Sequence, residues 1–405
     1  MSRNREQIRS AAPRLSPRRI ALALAMAAAG MFAVADSFAN ATAPSSPALA
    51  HRVAPWNGRI AGEFAQRTFD ARPSPDVRSQ SAILARGALA SEPTAVEALS
   101  VLALQALMRS DGKASNALFA HELKLSRREL PPRLWAIEAA AMRGDVDGAL
   151  ESYDIALRTS KSANGRLFPI LASAIIEPRI RARLITILAA EPVWRDDFIS
   201  HATRAGNEPG ATAQLLAEAA RAGIPIDTDL RTALVDRFAD KGRSDEAWAY
   251  YRTIRPGAQA GRSRDPRFTF GGTRRSIFDW NTSEYASFQS SATGGAVDIS
   301  VPTATGASIL SQAIVLPAGR YTLSGSSEGI DQPERSRLYW LLKCDEREVG
   351  RVELPNSAAN GGRFAGIVAV PGGCPMHVLT LMARPSDDFG GVTGRITRVS
   401  LEPAR

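Results

Sequence analysis

Cysteine is nearly missing from this 405-residue chain, which has two, Cys344 and Cys374, both in the last third. So few exclude a disulfide-dense scaffold and a multi-cysteine zinc or iron–sulfur centre. Histidine is almost as scarce: His51, His121, His201 and His377 lie far apart, with no pair at metal-ligand spacing. No metal and no cofactor is therefore expected, and no glycine loop of the phosphate-cradling kind follows a strand pattern. Aromatics make up 6% of the chain and do not interleave with a basic stripe, so the formal charge of +9 does not mark a nucleic-acid groove. That charge is also uneven, because residues 1–50 hold six arginines against Glu6 and Asp36. What remains is ordinary globular composition, 44% hydrophobic and 22% charged, long enough for two or three domains.

The arginines at 3, 5, 9, 14, 18 and 19 precede an unbroken apolar run over residues 20–35. Sixteen residues rising 1.5 Å each span about 24 Å, somewhat less than a hydrocarbon core of about 30 Å, which suits a signal-peptide core or an anchor. Ala33-Val34-Ala35 and Ser37-Phe38-Ala39 offer small residues for cleavage, whereas the long basic leader and the Ala/Pro/Ser-rich stretch to Ala50 suit an uncleaved inner-membrane anchor. Either way the basic flank stays in the cytoplasm and the rest is exported to the periplasm. An oxidising compartment also gives the two cysteines a use: paired, they close about 30 residues and stabilise the domain by about 3–4 kcal/mol. Two separately buried thiols are the alternative.

After a basic leader and apolar helix (1–35), residues 36–78 read as a tether and irregular lead-in. Helix patterning starts near Ser79, and Thr94 with Glu97 three residues on predicts a capped helix ending at Met108. Turn glycines then recur at Gly112, Gly144, Gly206 and Gly242, at intervals near one, two and one multiples of 34. Five residues on stands alanine each time (Ala117, Ala149, Ala211, Ala247). Nine on stand His121, Tyr153, Leu215 and Tyr251. A small residue lets two helices approach, and a bulky one a turn later fills the adjoining gap. Residues 79–254 thus resemble the tetratricopeptide family, with Trp135 near the start of a first helix and Ala139-Ala140 at its small positions. The resemblance departs where Glu177-Pro178 replaces a turn glycine. It implies an α-solenoid of helical hairpins whose concave surface binds a protein partner.

Residues 255–267 hold Pro256, Gly257, Gly261, Arg262, Arg264 and Pro266 and read as a linker. From Phe268 the apolar period changes to two: Val297, Ile299 and Val301 alternate, and further strands fit residues 309–316, 320–323, 337–344, 363–370, 377–383 and 392–401. Eight or nine strands over 268–405 predict a jelly-roll-like antiparallel β-sandwich. The stretch resembles carbohydrate-binding-module-like sandwiches. That resemblance implies glycan contact through exposed aromatics, for which Trp280, Tyr285, Tyr339 and Phe389 are the candidates. Asp387 and Asp388 beside Phe389 read as a solvated turn.

Catalysis is not expected. Gly325-Ser326-Ser327-Glu328-Gly329 has hydrolase-elbow spacing, but no helix pattern follows, and Ser110-Asp111-Gly112-Lys113 lacks companion motifs. The order of anchor, helical array and sandwich resembles envelope proteins of Gram-negative bacteria. It implies a periplasmic scaffold that grips an envelope protein and touches polysaccharide, in assembly or export of cell-surface glycan. A glycan-acting hydrolase or lyase with its site in the sandwich, and a purely structural oligomerisation module, are the competing readings.

Overall fold

Alanine, leucine and methionine dominate the apolar run, and it folds as the middle of a single helix, α1 (Pro17–Thr42). The computed structural model describes residues 17–270, 274–291, 294–386 and 389–404. Among the described residues α1 is the one helix long and apolar enough to cross a membrane, and Leu22, Leu24, Met26, Met31 and Val34 on it are exposed. Residues 36–78, expected as a tether, are instead largely helical: α1 runs on to Thr42 and is followed by α2 (Pro47–Val53) and α3 (Gly58–Ala71).

The chain divides into two units, Met1–Ala163 and Asn164–Arg405. The first continues with α4 (Gln80–Ser91), α5 (Val96–Met108), α6 (Gly112–Leu125), α7 (Leu130–Met142) and α8 (Val146–Thr159). Its core is built of small side chains, Ala61, Ala65, Ala85, Ala88, Ala95 and Ala98 with Phe69 and Val101, so α3, α4 and α5 approach closely. Gly58 is part of that approach, since a Cβ there would stand 2.4 Å from Glu92 Cβ. Helix α5 ends at Met108 as the pattern predicts, but Ala95 occupies its N-cap and Thr94 does not cap it.

Helices α5 and α6, and α7 and α8, pack as pairs around short turns. The turns are closed by a left-handed residue: Ser110 (φ 61°) after α5 and Gly144 (φ 69°) after α7. In each, the next amide reaches back across the last helical turn, Asp111 N–H to Ala106 O and Asp145 N–H to Ala140 O, both at 2.9 Å. Asp111 and Asp145 then cap the following helix by accepting from Ala114 N–H and Gly148 N–H. The structural repeat therefore aligns Ser110 with Gly144, a spacing of 34 that the glycines alone misplace by two residues.

The second unit begins with α9 (Asn164–Ala174), α10 (Pro178–Ala189), α11 (Arg195–Ala205), α12 (Pro209–Arg221), α13 (Thr228–Asp240) and α14 (Ser244–Ile254). Here α9 packs on α11, α10 on α12 and α11 on α13, while α13 and α14 form a pair around Gly242 (φ 70°). The sandwich follows, with ten strands among the described residues: β1 (Asn281–Thr282), β2 (Ala286–Ser291), β3 (Gly294–Val301), β4 (Ala307–Ile314), β5 (Gly319–Glu328), β6 (Tyr339–Cys344), β7 (Arg347–Glu353), β8 (Arg363–Val370), β9 (His377–Ala383) and β10 (Val392–Pro403). They form two five-stranded antiparallel sheets, β1-β4-β9-β6-β7 and β2-β3-β10-β5-β8. Strand β3 pairs with β10, β4 with β9, β5 with β8 and β6 with β7, the nested pairing of a jelly roll. Between the sheets lie Trp280, Trp340, Phe364, Leu323, Leu381, Ile396 and Val399. Cys344 and Cys374 are bonded, with Cα atoms 6.1 Å apart.

Residues 255–267, expected as a linker, are tied to the sandwich. Gly261 N–H donates to Val315 O, Ser263 N–H to Leu401 O and Trp280 Nε1–H to Arg264 O. Helices α13 and α14 are fixed to it as well. Asp236 on α13 accepts from Ile277 N–H at 3.0 Å and pairs with Arg274 at 3.1 Å. On α14, Tyr251 OH donates to Asp279 Oδ1 at 2.7 Å.

Candidate binding face on the sandwich

In β5 the residues Thr322, Ser324, Ser326 and Glu328 point away from the core while Tyr321, Leu323 and Ser327 point into it. The same alternation turns Arg363, Ala365 and Ile367 of β8, and Ala296, Asp298 and Ser300 of β3, to the outer face of the sheet. Strand β10 breaks the alternation. Its pairing with β5 shifts between Ile396 and Arg398, so two successive residues, Thr397 and Arg398, face outward between the buried Ile396 and Val399.

The outer face of the β2-β3-β10-β5-β8 sheet consequently carries two adjoining grooves. One is lined by Arg267, Gln289, Gly295, Ala296, Glu328, Arg395 and Thr397, the other by Ser324, Asn360, Arg363, Phe364 and Ala365, and both share Ser326 and Arg398. The registers place Gln289 beside Ala296, Ser326 beside Arg398 and Arg363 beside Ser326, so one row of outward side chains crosses every strand of the sheet. The Ser326 and Thr397 hydroxyls bond each other at 2.8 Å. Arg395 is paired with Asp298 at 2.6 Å, and that hydrogen bond raises its pKa further. Among the described residues Glu328 is the one carboxylate lining either groove.

The expected aromatic contacts fare differently. Trp280 is a correction: it is buried, edge-on to Phe268 and Trp340, and its indole N–H is used by the Arg264 carbonyl, so it offers no face to a sugar. Tyr285 is half-buried and packs against the core. Tyr339 faces outward on the opposite sheet, but the guanidinium groups of Arg351 and Arg384 lie 4.4 and 4.3 Å from its ring centre. Arg384 is held there by both oxygens of Glu353, which lowers the Glu353 pKa. Phe389 is fully exposed, and Asp387 and Asp388 before it lie outside the described residues.

Ser327, the nucleophile position of the elbow-like motif, is buried near the end of β5 and bonds Ser357 Oγ at 3.0 Å, and no α-helix follows the strand. Among the packing residues, Ala149, Tyr153, Ala247 and Tyr251 stand five and nine places after left-handed glycines; Tyr153, Ala247 and Tyr251 are buried. Gly112 and Ala117 are corrected, because Gly112 is the first residue of α6 and Ala117 is exposed. Ser115 and Phe119, counted from Ser110, are the buried pair. Gly206 is also corrected. Its φ is −59°, and α11 and α12 on either side of it make little contact, although Ala211 and Leu215 are buried.

The arginine groove is what sequence reasoning missed. The bulge hides it, since strict alternation would send Arg398 into the core.

No family model matches the chain, and no curated protein matches it. Similar solved structures include TmCBM61 in complex with β-1,4-galactotriose, at 15% identity and TM-score 0.24, covering 32% of this chain and 90% of that one. Another is BtGH115A, a family GH115 4-O-methyl-α-glucuronidase with specificity for decorated arabinogalactans, at 12% identity and TM-score 0.21, covering 76% of this chain and 48% of that one. Both scores are low, and the chemistry of the face is read from its own residues.

Proposed function

We propose that the protein is a non-catalytic scaffold of the Gram-negative periplasm, held at the inner membrane by α1, with a tetratricopeptide-like array for a protein partner and a sandwich that contacts glycan during cell-surface polysaccharide assembly or export. The observation that carries this reading is the way α1 enters the fold. Ala39 and Ala43 at its end pack with Ala50, Ala54 and Ile60, and Asp36 accepts from Asn57 Nδ2 at 2.9 Å. Phe32, still within the apolar run, stacks on Trp56 at 4.6 Å. Cleavage after Ala35 or Ala39 would remove side chains that the first unit packs against, so retention as an anchor is favoured over release. Trp56 beside the end of the apolar segment also suits a membrane–water interface.

Exposed apolar side chains on the array, Ile83, Leu107, Met108 and Met142, support a protein partner there. Met108 and Met142 stand two residues before the left-handed turn residues Ser110 and Gly144, so they mark the same edge of successive repeats. A glycan-cleaving alternative needs paired carboxylates, and among the described residues the grooves present Glu328 alone.

The test is fractionation with intact-mass measurement of the full chain expressed in a Gram-negative host. Membrane association that survives an alkaline wash, with residues before 36 present, is expected. A soluble species starting after residue 35 or 39 refutes the anchor. Affinity capture with a glycan-retention screen completes it, and recovery of bait alone with no glycan held refutes the scaffold.

A further inference from the structure

We propose that the groove face of the β2-β3-β10-β5-β8 sheet takes an acidic polysaccharide, a chain whose sugars carry carboxylates, laid across the strands. This rests on the glycan reading above and names the class of glycan.

Several arginines of the sandwich are neutralised: Arg351 by Glu348, Arg384 by Glu353 and, on the groove face itself, Arg395 by Asp298. Arg267, Arg363 and Arg398 are different. All three are exposed, all three line the grooves, and none makes an ion pair or a side-chain hydrogen bond among the described residues. Three open guanidinium groups against Glu328, the one carboxylate among the described groove-lining residues, with Asp298 already held by Arg395, leave the grooves short of negative charge. A guanidinium presents a planar fork that matches a carboxylate with two parallel hydrogen bonds.

The spread of the groups selects a polymer over a small anion. Arg363 lies on the outermost strand of one side and Gln289 on the outermost of the other. With strands about 4.8 Å apart, the row spans about 19 Å. Between them stand Ser324, Ser326 and Thr397, with Asn360 in the turn before β8, neutral donors and acceptors of the kind that sugar hydroxyls bond. Ala296 and Gly295 keep the floor low at the β2–β3 side.

The face also lacks the usual means of holding a neutral sugar. The aromatic side chains of its strands, Phe288, Tyr321 and Phe364, pack on or in the core, leaving no open ring on which a pyranose can stack. Attraction on this face must come from charge.

The experiment is co-sedimentation of the detergent-solubilised full chain with polygalacturonate and with the same polymer after reduction of its carboxylates to alcohols. Binding to the acidic polymer that weakens with salt, and at least tenfold weaker binding to the reduced one, is expected. The double variant Arg363→Gln/Arg398→Gln should lose binding about tenfold or more while Arg351→Gln, on the opposite sheet, binds as wild type. Unchanged thermal melting of both variants excludes misfolding as the cause. Equal binding of both polymers overturns the acidic assignment and leaves glycan contact standing. Retention by the double variant overturns the assignment to this face, and failure to bind either polymer overturns the glycan reading with it.

Discussion

Glu122 is fully buried in the first unit, and replacing it with glutamine should change how stability depends on pH. Its Oε1 is 2.5 Å from Ser100 Oγ, and its Oε2 has no partner. Burial pushes its pKa from 4.5 up to about 8, against the opposing effect of the Ser100 hydrogen bond; the nearby Glu129 and Glu97 push the same way. In the folded protein the carboxyl keeps its proton across a range where the unfolded chain releases it. The folded state thus binds more protons between pH 4.5 and about 8, and stability falls as pH rises through that window. The slope is about 1.4 kcal/mol per pH unit, so the penalty is about 3 kcal/mol at pH 7 relative to a group of ordinary pKa. Glutamine is nearly isosteric and never ionises. It introduces one fixed cost, because an amide donor left without an acceptor where Oε2 stands costs about 1–3 kcal/mol at every pH. The sign of the net change at one pH is therefore not the test; the slope is. Hydrogen exchange of the α5 and α6 amides, compared between Glu122→Gln and wild type at matched pH, cancels the intrinsic exchange rate. The variant should gain relative to wild type by up to about tenfold in protection for each pH unit between 5 and 8. A constant ratio across that range would falsify the account of Glu122 as a buried neutral acid.

The left-handed turns predict an asymmetric pair: Gly144→Ala should destabilise the first unit by about 1 kcal/mol, while Ser110→Gly should be neutral or stabilising, both read by urea unfolding. Reduction of the Cys344–Cys374 bond should cost the sandwich about 3–4 kcal/mol, visible as an earlier melting step in calorimetry. His377 is buried with both ring nitrogens unpartnered, and burial, with Arg347 nearby, lowers its pKa. The unfolded chain therefore takes up this proton first, and the sandwich should lose stability as pH falls below about 6.5. His377→Leu should flatten that acid limb, and an unchanged limb would show that another group sets it.

How far the fold could be read ahead depended on whether the signal was local. The jelly roll was legible because each strand reports its own inward face, as Val297, Ile299 and Val301 do. The strands β1 and β7 were not, since β1 has two residues and β7 buries Val352 alone, whereas β8, also at an edge, alternates clearly. The 34-residue spacing was visible in sequence, but its register was not, because Ser110 does in one turn what Gly144 does in the next. A residue type cannot announce a backbone angle that several types tolerate. The grooves were invisible for a related reason: one extra residue in β10 turns Arg398 outward, and only the pairing partner on β5 reveals the bulge. Aromatics misled for the opposite reason, since a ring at strand spacing serves the core as readily as a ligand, and Trp280 serves the core.

Tyr251 shows how a repeat position becomes a structural joint. Its ring packs on Trp248 and Phe278, and its hydroxyl donates to Asp279, whose other oxygen accepts from Ser276 N–H and Oγ. Arg264 reaches the same hydroxyl and lies over the ring, and burial together with Asp279 raises the tyrosine pKa well beyond its ordinary value. The Tyr251 hydroxyl and both Asp279 carboxylate oxygens are each bonded by another member of this cluster, which is what makes a buried network specific and costly to open. Tyr251→Phe removes one donor and leaves the Asp279 oxygen with Arg264 at 3.8 Å as its remaining partner, so a loss of about 1–3 kcal/mol is expected. Asp279→Ala strips partners from Tyr251, Ser276 and Arg264 together and should cost more, about 3–5 kcal/mol. If α14 merely rested against the sandwich, both substitutions would loosen the helix without shifting sandwich melting. If the joint is a shared core, the α14 amides and the β1–β4 amides should lose exchange protection together, and protection lost on one side only would refute it.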